Sequence, residues 1–204
     1  MPVEEATREM SDALAQEDVL RAQMYHFLAR LLASPPDQAL LKNVSEMSGD
    51  DTDLGKSIES FGKLAAKTDA ARVDQEYQDL FIGVARGELL PYGSYYLTGF
   101  LHEKPLAKLR NDMAQLGIAR DPSHKEPEDH IAAVLDMMAG LITGEFGEPA
   151  SLAEQKKFFE AHISSWAGHF FADLEGAKSS VLYAALGTVG RSFIEIETTA
   201  FSMS

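Results

Sequence analysis

Apolar positions along this chain recur at intervals of three and four residues, and strict alternation is sustained nowhere. That period puts apolar side chains on one face of a helix, so helices are expected throughout. The first runs from about Glu4 to Ala33, with Leu20, Met24, Phe27, Leu28, Leu31 and Leu32 on its apolar face. "SPP" at 34–36 stops it, because proline cannot continue a helix and restricts the residue before it. Shorter helices are expected at about Asp37–Met47, Leu54–Lys67 and Ala70–Phe81, with the acidic turn "SGDDTD" (48–53) between the first two. Two more start near Ser94 and near Pro105, proline being favoured in a first turn. "EPEDHIAAVLDMMAGLI" (126–142) reads as a helix with Pro127 in its first turn and Ile131, Val134, Leu135, Met138, Leu141 and Ile142 on one face. After the linker "GEFGEP" (144–149), Ser151 and Glu154 form a capping box. The helix it opens is expected to bury Phe159, Ile163, Trp166, Phe170 and Leu174. The last helix carries Leu182, Leu186, Val189, Phe193, Ile196 and Ala200 at steps of four and three, the mark of a helix packed along most of its length.

One stretch breaks the pattern. "IGVARGELLPYGS" (82–94) contains Gly83, Gly87, Gly93 and Pro91 and reads as a long loop. The expected architecture is all-α: a bundle of about eight to ten helices with one long glycine-rich loop at 82–94. Residues 1–204 are expected to form a single domain, with a hinge candidate at 144–149 before the C-terminal helices.

Composition narrows the chemistry. The chain has no cysteine, which excludes disulfides, thiol catalysis and zinc–thiolate sites. Its 32 acidic residues against 18 basic ones leave a formal charge of −14. That disfavours nucleic acid and anionic membranes and attracts cationic partners, although solubility alone also favours an acidic surface. The N-terminal stretch is acidic and polar, without the basic start and apolar core of an export signal, and no apolar run approaches membrane-spanning length.

Metal and phosphate chemistry find little support. Helical di-metal sites need Glu-x-x-His pairs, and none of the 6 histidines has a glutamate three residues before it. Asp121 precedes His124 at that spacing, but Pro122 lies between and the stretch reads as a turn. "LGKS" (54–57) ends like a phosphate-binding loop, but its leading glycine is misplaced and Asp50, Asp51 and Asp53 would repel the anion. "YGSYY" (92–96) lacks the strand–turn–helix context and second glycine of a nucleophile elbow. No catalytic residue and no metal ligand is assigned.

Two clusters remain. "EPEDH" (126–130) suits a helix start, where acidic residues favour the dipole, where Glu126 or Ser123 caps, and where Asp129 bonds free amides. It also makes an anionic corner beside an apolar wall, suited to a guanidinium. Tyr77, Phe81, Tyr92, Tyr95, Tyr96 and Phe100 flank the glycine-rich loop, with Tyr77 and Phe81 one turn apart on a shared face. They fit ordinary core packing, and equally an aromatic groove that binds an apolar peptide segment.

Three blocks in order resemble the TorD/DmsD/NarJ family of redox-enzyme maturation chaperones. "EYQDLFIGVARGELLPYGSYY" (76–96) resembles the family's Glu-Tyr-x-x-Leu-Phe-x-Gly followed by Pro-x-x-Ser. "EPEDHIAAVLDMMAGL" (126–141) resembles its Glu-Pro-x-Asp-His signature, and "EQKKFFEAHISSWAGHFFADLE" (154–175) its Phe…His-Ile-x-x-Trp helix. The resemblance implies an all-helical cytoplasmic chaperone, not an enzyme. Such a protein binds the twin-arginine signal peptide, and often the body, of a molybdoenzyme catalytic subunit until its cofactor is inserted. Carried over by motif position, Tyr77, Phe81, Pro91, Tyr92 and Ser94 would belong to the signal-peptide surface, together with Asp129 and His130; Glu126 and Pro127 would shape the turn. Tyr92 stands where some DmsD-like members carry tryptophan, which bears on cargo preference. No cofactor is expected; weak guanine-nucleotide binding enters through the resemblance alone. No nucleic acid and no stable membrane insertion is expected, and the chain itself is expected as a monomer or a helix-exchanged homodimer. Two alternatives stay open: a NarJ-like chaperone of a non-exported molybdoenzyme, or a small enzyme using Asp129 and His130 as an acid–base pair.

Overall fold

The structure, a computed structural model, describes residues 2–120 and 125–203, with side chains from residue 16 onward. The turn expected at Asp121, Pro122 and Ser123, the Ser123 cap and His124 lie outside the described residues. Among the described residues ten α-helices follow in order: α1 (Pro2–Ala33), α2 (Gln38–Ser45), α3 (Asp53–Ala65), α4 (Ala70–Tyr77), α5 (Gly93–Thr98), α6 (Lys104–Gln115), α7 (Ile131–Thr143), α8 (Leu152–His162), α9 (Ala167–Gly176) and α10 (Leu182–Ser202). A π turn at Gln78–Ile82 extends α4. Local chemistry explains the starts. Asp37, Thr52 and Asp69 each accept a hydrogen bond from a first-turn amide of α2, α3 and α4. Ser151 and Glu154 form the expected reciprocal box at α8.

The core is built on α7, which packs along α1 and α8, while α10 packs against α9, α3 and α4. The six apolar residues expected on one face of α7 are all buried, and so are Ala132, Met137, Ala139 and Gly140. A helix enclosed nearly all round shows no polar stripe, so its sequence looks more apolar than one-faced packing requires. Truncating such a residue, Leu135→Ala for example, costs roughly 2–5 kcal/mol. Helices α9 and α10 meet at Gly187 and Gly190, where a Cβ would lie 2.8 Å from the Phe171 carbonyl oxygen and 2.2 Å from the Phe171 ring.

Four sequence expectations change. Leu20 is exposed, as are Ile196 and Ala200 in α10. The inward positions there are Ile194, Glu197 and Phe201, because the Arg21 guanidinium draws Glu197 inside with two 2.8 Å hydrogen bonds and the Tyr25 hydroxyl donates a third at 2.9 Å. The helix expected through 151–174 is two helices. The Trp166 indole N–H donates to the His162 carbonyl oxygen at 2.7 Å, closing α8 before α9 begins. The helix expected to run to Phe81 gives way to the π turn after Tyr77, closed by Gly83 N–H donating to the Gln78 carbonyl at 2.7 Å. Finally, Pro127 does not lie in the first turn of α7, which starts at Ile131 with His130 as its cap. The 144–149 linker is short and tied back, with Ala150 N–H donating to the Leu141 carbonyl at 2.8 Å.

Candidate functional site

The segments 77–94 and 126–131 are joined by their main chains. Tyr92 and His130 form an isolated antiparallel bridge. Gly93 N–H donates to the Asp129 carbonyl at 2.9 Å, and Ile131 N–H donates to the Pro91 carbonyl at 2.8 Å. Pro91 is buried, and Gly93 packs so closely that a Cβ would lie 3.2 Å from the Trp166 indole. This small clasp brings Tyr92, Ser94, Asp129 and His130 together.

Asp129 was expected to serve the amides of its own helix; it serves another. Its Oδ2 accepts a hydrogen bond from Ser94 N–H, in the first turn of α5, at 2.7 Å. Asp129 is 3% exposed, and among the described residues its Oδ1 has no hydrogen-bond partner; nor has the buried Ser94 hydroxyl. His130 takes the capping role at α7, with Nδ1 accepting from Ala132 N–H at 3.2 Å. Burial holds the His130 imidazole neutral, lowering its pKa to about 4 despite the nearby Glu126 and Asp129. The neutral form suits the cap, since an accepting Nδ1 leaves the proton on Nε2. The Asp129 carboxylate and the His130 ring are thus each engaged elsewhere, which is not the arrangement of an acid–base pair. Glu128, 7% exposed, accepts from Arg110 at 2.8 Å and Arg120 at 3.0 Å, tying the turn to α6 and the segment after it.

Glu126 is the exposed carboxylate of the turn, and the half-buried Tyr92 donates its hydroxyl to it. Burial, then Glu126, pushes the Tyr92 phenol well above its ordinary range. Across from it, the Tyr77 hydroxyl donates to the Ala33 carbonyl at 3.1 Å, and burial with the Glu126 charge raises its pKa to about 12. The ring of Tyr77 stands edge-on to Phe81 at 5.0 Å, and both contact Tyr183 of α10. Tyr92 meets the His130 ring at 5.2 Å. Phe81 with Tyr77, and Tyr92 with Glu126 and His130, thus make two groups, linked by the Glu126 charge that raises both phenols. The six aromatics of the sequence reading divide. Tyr96 joins Trp166 and Phe170 instead, Tyr95 stacks with Arg86, and Phe100 is exposed.

The loop is latched at its far side. Glu76 accepts from the amides of Val181, Leu182 and Tyr183, and Glu88 from those of Lys178 and Ser179. The parts played by Tyr183, Glu88 and the Arg110–Glu128–Arg120 cluster escaped sequence reasoning. Each depends on a contact across the fold, although Glu76, Glu88 and Glu128 all stand inside the quoted motif blocks. Among the described residues, no group of three or more His, Asp or Glu could hold a metal ion, and no helix is long and apolar enough to cross a membrane.

Comparison with known proteins bears on the family and the fold. A family model described as nitrate reductase delta subunit matches residues 48–172. The TorD chaperone of Vibrio atlanticus (strain LGP32) is 27% identical over 199 residues, covering 87% of this chain and 93% of that one. The TorD chaperone of Vibrio cholerae (strain M66-2) is 26% identical over 190 residues, covering 89% and 82%. A crystal structure of a redox enzyme maturation protein from Archaeoglobus fulgidus shares the fold, with a TM-score of 0.56 at 22% identity over 86% of this chain and 93% of that one. The family model spans more than half of the sequence, and the chain belongs to the TorD/NarJ family of redox-enzyme maturation chaperones.

Proposed function

We propose that this maturation chaperone binds the twin-arginine signal peptide of a molybdoenzyme catalytic subunit in the cytoplasm, on the surface that Phe81, Tyr92, Glu126 and Pro127 line, held in place by the buried Tyr77, Pro91, Ser94, Asp129 and His130. The observation that carries the reading is an exposed carboxylate, Glu126, that accepts from the half-buried Tyr92 and whose charge also reaches Tyr77, the ring partner of the half-buried Phe81. A signal peptide of this class presents guanidiniums followed by a mildly apolar run. The carboxylate suits the first and the aromatic edges the second. The overall charge of −14 steers such a cation inward, and burial of apolar surface supplies affinity at roughly 25 cal/mol per Å².

Calorimetric titration with a synthetic twin-arginine peptide tests the reading. Binding is expected to weaken when both arginines become alanine, and again in Phe81→Ala. Equal binding of the two peptides refutes it. The description of the matching family model as nitrate reductase delta subunit favours a second reading, a chaperone of a non-exported enzyme. Under that reading the client's N-terminus binds with no dependence on paired arginines.

A further inference from the structure

The 126–130 turn holds three carboxylates in three different circumstances. Glu128 is buried and already neutralised by Arg110 and Arg120. Asp129 is buried deeper still, with one oxygen on Ser94 N–H. Its free Oδ1 does not make it available from the aromatic side. The cavity that Asp129 lines lies between α5, α6 and α8, walled by Gly93, Leu97, Pro105, Leu109 and Trp166. Tyr77, Phe81, Tyr92 and Glu126 take no part in it. Its volume is about 10 Å³, room for one water and too little for a planar guanidinium. Glu126 differs in both respects. It is exposed, and among the described residues its only hydrogen-bond partner is the Tyr92 hydroxyl, which fixes its direction and leaves acceptor capacity for a forked donor.

We propose that the two duties are divided: Glu126 reads the cationic end of the bound peptide, and Asp129 is a positioning residue that never touches it. Asp129 acts through Ser94 and Gly93, holding the first turn of α5 against the 127–131 segment so that Tyr92 presents its hydroxyl to Glu126. The inference rests on the peptide reading above and assigns the charge recognition within it.

The two roles predict different signatures. A charge that meets an arginine sets the ratio of affinities for arginine and alanine peptides, and sets the salt dependence. A positioning residue lowers both affinities by one factor and leaves the ratio alone. The experiment is fluorescence anisotropy with two labelled synthetic peptides, one with paired arginines before an apolar run and one with paired alanines. It is run at two salt concentrations against the wild type, Glu126→Gln, Asp129→Asn and Asp129→Ala, with circular dichroism as the check on folding. Glu126→Gln is expected to reduce the arginine preference roughly tenfold and to flatten its salt dependence. Asp129→Asn keeps an oxygen for Ser94 N–H; it is expected to weaken both peptides by a similar few-fold factor with the preference retained. Asp129→Ala, lacking that oxygen, weakens both further. If Asp129→Asn removes the preference as Glu126→Gln does, the division is wrong while the peptide reading stands. A wild-type protein without any arginine preference overturns the peptide reading and the division with it.

Discussion

The site is bounded by two carboxylate clasps of the same design in opposite surroundings. On one side Asp129 caps α5 from the interior, and on the other Glu76 and Glu88 cap the turn before α10 at the surface. All three bind amides of a distant segment. In the dry clasp, losing the carboxylate strands a buried N–H away from bulk water. In the wet clasp, water replaces the carboxylate, so each bond is worth less. The comparison teaches where the strong ties lie. Buried bonds hold the 91–94 and 127–131 segments together, whereas the Glu88 bonds of the 83–90 loop are exposed.

The largest effect expected on the dry side is its response to acid. The folded protein keeps His130 neutral down to about pH 4, whereas the unfolded chain takes up that proton near 6.5. Stability is therefore full above about pH 6.5 and falls as pH drops towards 4, by about 3 kcal/mol from this residue. Burial lowers the His162 pKa as well, adding in the same direction. Urea denaturation from pH 7 to pH 4 checks it, with His130→Asn expected to show a shallower decline. Next, Asp129→Ala is expected to cost about 2–3 kcal/mol. Glu76→Ala, which frees the exposed amide of Val181 and the half-buried amides of Leu182 and Tyr183, is expected to cost about 1 kcal/mol. Smallest of all, Glu88→Gln is expected to change global stability by less than about 0.5 kcal/mol yet to quicken tryptic cleavage at the exposed Arg86. A Glu88 variant as damaging as the Asp129 variant would erase the contrast between the clasps.

What the sequence disclosed follows from the range of each interaction. The Ser151–Glu154 box involves neighbours in the chain and was readable from spacing alone. So was the pairing of Tyr77 with Phe81, which survives the intervening π turn. The break at 163–166 was hidden because its cause, the Trp166 indole closing on His162, interrupts no apolar period. Glu197 defeated the pattern at the end of α10 for a different reason. An arginine 176 residues away makes a charged side chain the better occupant of the interior. The candidate site was half legible: its motifs stood out, but which carboxylate faces water and which faces the core depends on how 126–131 meets 91–94, a pairing no local rule contains.

The central claim is that these two distant segments form one peptide-binding surface. Hydrogen exchange measured by mass spectrometry, with and without a saturating twin-arginine peptide, tests it most directly. The account predicts slowed exchange in both 77–96 and 125–131, with little change in α2 and α3. Protection confined to one of those segments, or appearing only elsewhere, would contradict it.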